Sequence, residues 1–494
     1  MRKNEKIQKI LLIFFSIILY IILTSYHSWT KIIEYYISYI HHKNDYFSLT
    51  INSAKYITPT IRLLYSFFYV FGIIITKLTN IKLICNTSII LINISLFFFI
   101  YSTTKSIIII LFLIYSIGLG ISYMPILLNI WFYFQDKKGV MLGLLSLCTA
   151  IGHYLFRLIG LFFLKKLENK NINKNNDKYY ELNNYTDIEI FMKMQFYIVF
   201  ILSFLFIIIL HLWKPDKYIQ NKNIKKKKFL LNSNEKYYEL QDYYNYQNFD
   251  NNYSYLYNNN NDYNQDESYT NLFDNKFEDI FLVFKSKPFI QLCFVFNLSY
   301  LFNTLNLTDF PYLKNENNKN LTYYFNIVWY ITNIIFRFFW GSFLDFYDFK
   351  NLYLITLFLQ IGTYSTFFLI TKYQFLVFIY SFFNSLANSA IYTIMPYGFY
   401  LIFGWTNFSI LYSINKFISM ILEYYIIFLI EKFKKNDLNF LILCYLSSFC
   451  SIMSFIILCF VEIKKFDYYK YSNEKAIKKK FRYSKEKNDS DSDN

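Results

Sequence analysis

The chain has little glycine, little proline and little charge for its length. Its 494 residues include 11 glycines and 6 prolines, and 17% of them are charged against 55% that are hydrophobic. Such a chain is neither collagen-like nor a flexible linker sequence. A soluble chain of this length would form several domains with charged surfaces, and long stretches here contain almost no charge. The composition argues against a soluble enzyme and favours a membrane protein.

Sequence signatures of metal sites, cofactor sites and enzyme active sites are also missing. The six cysteines occur singly, without the CxxC spacing of metal or redox sites, and they are interpreted as core residues. His27, His41 and His42 lack ligand spacing. The chain contains no HExxH, GxSxG, GxxxxGK[ST] or GxGxxG. We therefore predict no enzyme, no cofactor, no metal and no ATP hydrolysis.

Long apolar stretches dominate what remains. A span of the roughly 30 Å hydrocarbon core needs about 20 apolar residues, and the sequence offers twelve such stretches in two sets of six. The first apolar run is too long for a signal peptide and has no cleavage site after it. The predicted spans are 8–26, 57–76, 83–101, 106–133, 139–164 and 193–213, then 280–306, 321–345, 351–371, 374–402, 406–430 and 438–462.

The two sets define the predicted domains. Residues 1–213 form an N-terminal half, 214–278 a disordered Asn/Tyr/Lys-rich linker, 279–465 a C-terminal half and 466–494 a disordered tail. The net charge of +16 comes from short basic clusters between apolar segments, which indicates membrane topology and contact with the lipid bilayer rather than nucleic-acid binding. These clusters favour cytoplasmic termini, although Lys434 and Lys435 break the pattern, and residues 27–56 are predicted as an outer loop.

Glycine positions are informative because the residue is scarce. Six of the eleven lie within the predicted fourth and fifth spans, which predicts close packing of these helices with each other or with a partner. They are Gly118, Gly120, Gly139, Gly143, Gly152 and Gly160.

A polar stripe marks the eighth span. Asn333, Arg337, Gly341 and Asp345 follow one another at four-residue steps and share one helix face. A buried charge is costly in lipid, so Arg337 must face the bundle interior, a cavity or a partner.

Lys416 of the eleventh span lies at a depth similar to that of Arg337. Without an acid identified at the same depth, the two cations repel each other unless an anion lies between them, and a carboxylate substrate fits this requirement. The alternative is structural, with Arg337 paired to a backbone carbonyl or to Asp345, and Lys416 paired to Glu423 across about 10 Å along the helix axis.

Other ionisable residues are open to two interpretations. His153 and Arg157 share a face of the fifth span. They could be a proton-relay pair or a charge at the substrate entry, or else a structural histidine and an arginine that snorkels to the membrane surface. Arg62 is interpreted in the same structural way.

The segment from Gly341 to Lys350, GSFLDFYDFK, resembles the cytoplasmic loop motif of the major facilitator superfamily. The resemblance implies an all-α membrane protein with twelve transmembrane helices in two six-helix pseudo-symmetric halves. It also implies that Gly341, Asp345 and Lys350 belong to the motif that controls the cytoplasmic gate. The first-half copy keeps Gly72 and Lys77 but has Thr76 in the acidic position.

Within that superfamily, two regions resemble the oxalate/formate antiporter and monocarboxylate porter branch. These are Gly118 to Gly143, and Pro396 to Lys416 with its FGWTN segment. The resemblance implies that Arg337 and Lys416 bind a carboxylate, with Asn333 orienting Arg337. Asn333 stands where proton-coupled monocarboxylate porters carry an acid, which weakens the case for proton symport.

The sequence therefore predicts a monomeric secondary transporter of small organic anions, with exchange against a counter-anion or coupling to protons. The plasma membrane is the default location, and an organelle membrane stays open. The alternatives are the same fold carrying an amino acid, sugar or drug, and a membrane nutrient sensor that transports nothing.

Overall fold

The computed structural model describes residues 2–44, 50–54, 56–168, 186–214, 283–300, 319–371, 373, 375–433 and 437–461. These residues are almost entirely helical and contain no strand. The predicted linker from residue 215 onward and the predicted tail lie outside them. The helices are α1 Arg2–Ile22, α2 Trp29–Lys43, α3 Ile51–Ala54, α4 Ile57–Leu78, α5 Ile81–Phe99, α6 Lys105–Ile121, α7 Tyr123–Tyr133, α8 Lys138–Glu168, α9 Thr186–Leu212, α10 Lys287–Tyr300, α11 Lys319–Phe343, α12 Phe349–Ser365, α13 Leu376–Phe433 and α14 Asp437–Cys459.

Eight helical segments of the described residues are long and apolar enough to cross a membrane. The predicted spans 280–306, 321–345, 351–371 and 374–402 also contain helices, but these are outside that set. Two of them, α10 with 14 residues and α12 with 17, are too short, and the other two carry buried polar residues such as Asn333 and Asn384. The eight segments are Lys6–Ser28, Ile57–Thr76, Ile81–Phe99, Lys105–Tyr133, Gln135–Gly160, Thr186–Leu212, Asn407–Ile427 and Phe440–Cys459.

The prediction of an outer loop over residues 27–56 is wrong for its first half. A 3-10 turn at Ser25–Ser28 leads directly into α2, and Trp29 and Tyr36 of α2 are buried. The Trp29 ring lies 5.2 Å from that of Phe99. Charged residues lower the hydropathy of α2, but its apolar residues recur at helical spacing and pack against the bundle.

The break between the predicted tenth and eleventh spans is present at Gly404. The backbone there has φ 72°, so α13 consists of two helices joined at this residue. Residues with a Cβ rarely adopt this left-handed conformation, which explains the glycine at the junction.

The two halves of the bundle meet along two seams. In one, α8 of the N-terminal half packs against α11, and in the other α4 packs against α13. The α8–α11 seam requires glycine: a Cβ on Gly143 would lie 2.9 Å from the Phe338 carbonyl oxygen and 3.0 Å from the Gly341 Cα. Backbones can therefore approach closely here, as small residues allow in membrane helices.

Close packing by the glycine-rich helices is confirmed, but each glycine contacts a different partner. Gly139 and Gly143 face Gly341 of the other half. The other four pack within the N-terminal half: Gly118 against α5, Gly120 against α4, Gly152 against α1 and its following turn, and Gly160 against Ser28.

Candidate functional site

The polar stripe of α11 faces the seam between the halves. Asn333 and Arg337 are buried, with 3% and 6% of their surfaces exposed, although both belong to a helix predicted to cross the membrane. The expectation that Arg337 points away from lipid is confirmed.

Arg337 is held by groups from both halves. Its Nε donates to Asn333 Oδ1 at 2.8 Å, and its Nη1 donates to Thr149 Oγ1 at 2.7 Å and to the Ser146 carbonyl oxygen at 3.2 Å. The Tyr392 ring centroid lies 4.5 Å from its Cζ, which adds a cation–π contact. The guanidinium therefore contacts a backbone carbonyl, as the structural alternative allowed, and makes no ion pair among the described residues.

Lys416 lies on the same aromatic wall. Its Nζ is 3.9 Å from the Tyr300 ring centroid and 5.2 Å from that of Tyr392, and only 6% of the residue is exposed. Arg337 and Lys416 thus share one aromatic ring, Tyr392. The alternative in which Lys416 pairs with Glu423 is wrong, because Glu423 binds a different cation.

That cation is Arg62, which the sequence interpreted as structural without naming a partner. Arg62 Nη1 of α4 forms an ion pair with Glu423 Oε1 of α13, so the contact joins the two halves. Glu423 Oε2 also accepts a hydrogen bond from the Tyr300 hydroxyl at 3.2 Å. Tyr300 therefore contacts both this carboxylate and the ammonium of Lys416.

Two further buried amides, Asn297 and Asn415, were missed by the sequence reasoning. Asn297 Nδ2 donates to Asn415 Oδ1 at 2.9 Å, and the Ser419 hydroxyl donates to Asn297 Oδ1 at 2.7 Å. Asn333 Nδ2 and Asn415 Nδ2 have no hydrogen-bond partner among the described residues. A sequence signal existed for Asn415, which directly precedes Lys416, but none identified Asn297 or the two tyrosines.

At the other end of the α8–α11 seam, Asp345 binds the start of α8. Its carboxylate oxygens accept hydrogen bonds from the backbone N–H groups of Gly139 at 2.7 Å and Val140 at 2.9 Å. A negative charge is favourable at a helix N-terminus, where N–H groups lack partners within the helix. Asp345 therefore connects the halves and does not pair with Arg337.

We expect Asp345→Asn to loosen this contact. The amide keeps one acceptor oxygen but loses the charge and one of the two bonds. Since a hydrogen bond to a charged group contributes about 1.5–3 kcal/mol, the first amides of α8 should exchange with deuterium about ten times faster or more. Hydrogen exchange of the peptide around Gly139 measures this change. Asp348→Asn is the matched control, because Asp348 is exposed and its side chain makes no capping bond; equal exchange in both variants would contradict the assignment.

No protein-family model and no curated protein matches this chain. Solved structures do match it. One is the proton:xylose symporter XylE bound to 6-bromo-6-deoxy-D-glucose, which matches with TM-score 0.61 and 11% identity; the match covers 93% of this chain and 97% of that one. FucP, in the outward conformation, matches with TM-score 0.55 at 12% identity over 92% of this chain and 100% of that one. Both carry the designation major facilitator superfamily transporter.

The chain has the major facilitator fold. The predicted all-α architecture of twelve transmembrane helices in two halves agrees with these neighbours. The likeness concerns the fold alone at such low identity. The resemblance to the oxalate/formate branch therefore stays a prediction.

Two other residues of the predicted major facilitator gate, Lys350 and Gly72, contact their own halves. Lys350 Nζ donates to the carbonyl oxygens of Cys459 at 2.8 Å and Val461 at 3.1 Å, at the end of α14. Gly72 packs against the backbone of Ile121. The side chain of Lys77 lies outside the described set. Of the five predicted gate residues, the structure brings Gly341 and Asp345 to the seam.

His153 has a partner that the sequence placed elsewhere. Its ring stacks on that of His27, which the sequence placed in or beside an outer loop, with centroids 3.5 Å apart and planes 6° apart. Arg157 lies over the Tyr330 ring, with its Cζ 5.4 Å from the centroid. The histidine pair joins α8 to the turn after α1.

No group of three or more His, Cys, Asp or Glu residues that could hold a metal occurs in the described ranges. The six cysteines are free thiols.

Proposed function

We propose that this protein is a secondary active transporter of small organic anions, mono- or dicarboxylates, that works by alternating access between its two halves. The observation that carries the proposal is the meeting of Arg337 and Lys416 at the Tyr392 ring. Neither cation forms an ion pair with an acidic group of the described residues. The major facilitator fold supports the transport of a small solute in general.

The charges around this ring favour an anion. Arg62, Arg337 and Lys416 are positive, and Glu423 is the negative partner of Arg62. Both Arg337 and Lys416 are buried, and unpaired charges in a low-dielectric interior are costly. A carboxylate between them would offset that cost, whereas a neutral solute would leave both charges unpaired.

The geometry offers suitable donors. Arg337 Nη2 makes no hydrogen bond to the described residues, and Lys416 presents a compact ammonium. Asn333 Nδ2 is a buried donor with no partner among the described residues, and Asn333 Oδ1 accepts a hydrogen bond from the Arg337 guanidinium. Guanidinium and ammonium groups bind carboxylates in complementary ways, the first as a fork and the second as a point charge.

Two sets of contacts join the halves: the Asp345 bonds to α8 and the Arg62–Glu423 ion pair. In alternating access the two ends open in turn around a central site. An empty site with two uncompensated cations disfavours reorientation, so we propose exchange of anions, with proton coupling through His153 and Arg157 as the second transport mode.

The test is counterflow in proteoliposomes. Purified protein is reconstituted with internal oxalate, formate, lactate or pyruvate, and the uptake of each labelled anion is measured. We expect uptake to depend on an internal anion, and labelled xylose to serve as the neutral comparison. Uptake of xylose without uptake of any anion would favour a neutral solute, and reconstituted, folded protein inert to all five would contradict the carboxylate proposal.

A further inference from the structure

Arg337 has fewer donors available than a free guanidinium. Of its five N–H groups, one on Nε is bound to Asn333, and both on Nη1 are bound, one to Thr149 and one to the Ser146 carbonyl. The two on Nη2 make no hydrogen bond to the described residues. A guanidinium can bind a carboxylate in bidentate fashion through Nη1 and Nη2 or through Nε and Nη2. In Arg337 one donor of each pair is already engaged: Nη1 in the first and Nε in the second.

The partners of Arg337 differ in which half they belong to. Asn333 lies on α11 itself and moves with Arg337, whereas Thr149 and Ser146 belong to α8 of the opposite half. The Nη1 contacts are therefore bonds between the halves, located near the middle of the α8–α11 seam. Gly143, one to two turns away on α8, brings the backbones close enough for these bonds.

The Thr149 hydroxyl is oriented as an acceptor for Arg337. It donates its own hydrogen to the Ser146 carbonyl oxygen at 2.6 Å, which leaves its lone pairs for Nη1 at 2.7 Å. Thr393 of α13 donates to the Ser146 hydroxyl at 3.1 Å, so both halves contribute to this network. A hydroxyl placed in this way occupies the position that a carboxylate oxygen of a ligand would take on Nη1.

We infer that Thr149 is a positioning residue that holds the Arg337 guanidinium in the unloaded transporter and is displaced from it by the substrate carboxylate. A carboxylate that takes the Nη1 hydrogen now bound to Thr149, together with Nη2, replaces Thr149. Its binding thereby removes a bond between α8 and α11 and frees the halves to move. This inference rests on the proposed anion transport and adds to it the step by which binding is coupled to motion.

Thr149→Val tests the first part, because valine has nearly the same shape but no hydroxyl. It leaves an Nη1 hydrogen without its acceptor, so a ligand oxygen meets no competitor there. We expect oxalate to bind about three- to tenfold more tightly, with a matching fall in the KM for exchange and no rise in kcat. Thr149→Ser keeps the hydroxyl and should bind within about twofold of the native protein. Unchanged or weaker oxalate binding by Thr149→Val would overturn the inference.

A second measurement needs no ligand. If Thr149 ties the halves together, backbone amides of α8 between Gly139 and Ala150 should exchange with deuterium faster in Thr149→Val than in Thr149→Ser. Equal exchange in the two variants would overturn the coupling step. Thr149→Ala replaces the valine variant if that chain fails to fold, as judged by its melting temperature.

The two proposals fail in different ways. Native protein that binds neither oxalate nor formate contradicts the proposed function, and the exchange measurement still decides whether Thr149 links the halves. Native protein that binds oxalate as tightly as Thr149→Val leaves the function standing and overturns the inference.

Discussion

Replacing Arg337 or Lys416 by glutamine is expected to abolish anion exchange. Both side chains contact the Tyr392 ring and are buried, so each would bind a carboxylate with little screening by water. Truncating one partner of a buried, hydrogen-bonded charge pair costs about 2–5 kcal/mol, which corresponds to a loss of about 30- to 5000-fold in kcat/KM. Counterflow of oxalate and formate measures this loss of exchange activity.

A charge-conserving variant separates the contribution of the Arg337 charge from that of its planar fork. Arg337→Lys keeps the charge but loses the planar fork, so we expect a smaller loss than with glutamine. Lys43→Gln is the control, because Lys43 is a partly exposed lysine that pairs with Glu189 at 2.8 Å, away from Tyr392. It should leave exchange unchanged.

One outcome would contradict the assignment of the site. If both glutamine variants exchange anions within about threefold of the native rate, neither cation binds the substrate with the strength expected of a buried charge. The anion would then have to bind elsewhere in the bundle.

Breaking the Arg62–Glu423 ion pair is the change with the second largest expected effect. Glu423→Gln leaves Arg62 facing a neutral amide, and Arg62→Gln leaves a carboxylate that is 5% exposed with only the Tyr300 hydroxyl. Loss of one partner of a buried pair costs about 3–5 kcal/mol. Because the Arg62 side chain is 26% exposed, we expect a smaller destabilisation, about 2 kcal/mol.

The readout is the melting temperature in detergent, with a fall of roughly 3–6 °C expected for either single variant. The exchanged pair, Arg62→Glu with Glu423→Arg, should recover a good part of this loss because it restores an attraction between the halves. Tyr300→Phe removes one neutral-donor bond to Glu423 and should cost less than either single charge variant. If the exchanged pair is no more stable than the single variants, the ion pair does not hold the halves together.

Helical periodicity predicted most of the fold and half of the proposed site. The apolar runs gave the spans, and the four-residue spacing from Asn333 to Asp345 placed Arg337 inside the bundle, where the structure has it. Both follow from local rules, because lipid requires apolar stretches and a helix repeats its face about every four residues. The main error, at α2, arose where charged residues diluted an otherwise buried helix.

Partnerships between distant residues could not be predicted in this way. Arg62 and Glu423 are 361 positions apart, and Arg337 and Thr149 are 188 positions apart. Periodicity assigns each residue to a face of its own helix, but it carries no information on which other helix lies opposite that face. This explains why the sequence did not pair Arg62 with Glu423 or His27 with His153.

The sequence by itself determined that this protein is an all-helical membrane protein in two halves and that Arg337 must avoid lipid. Only the tertiary structure decided which groups meet across the seams: Asp345 with the start of α8, Arg62 with Glu423, and Arg337 with Thr149. The physical reason is the range of the forces involved. Burial of apolar surface acts on each helix separately, whereas hydrogen bonds and ion pairs form only after packing has brought two helices within about 3 Å of each other.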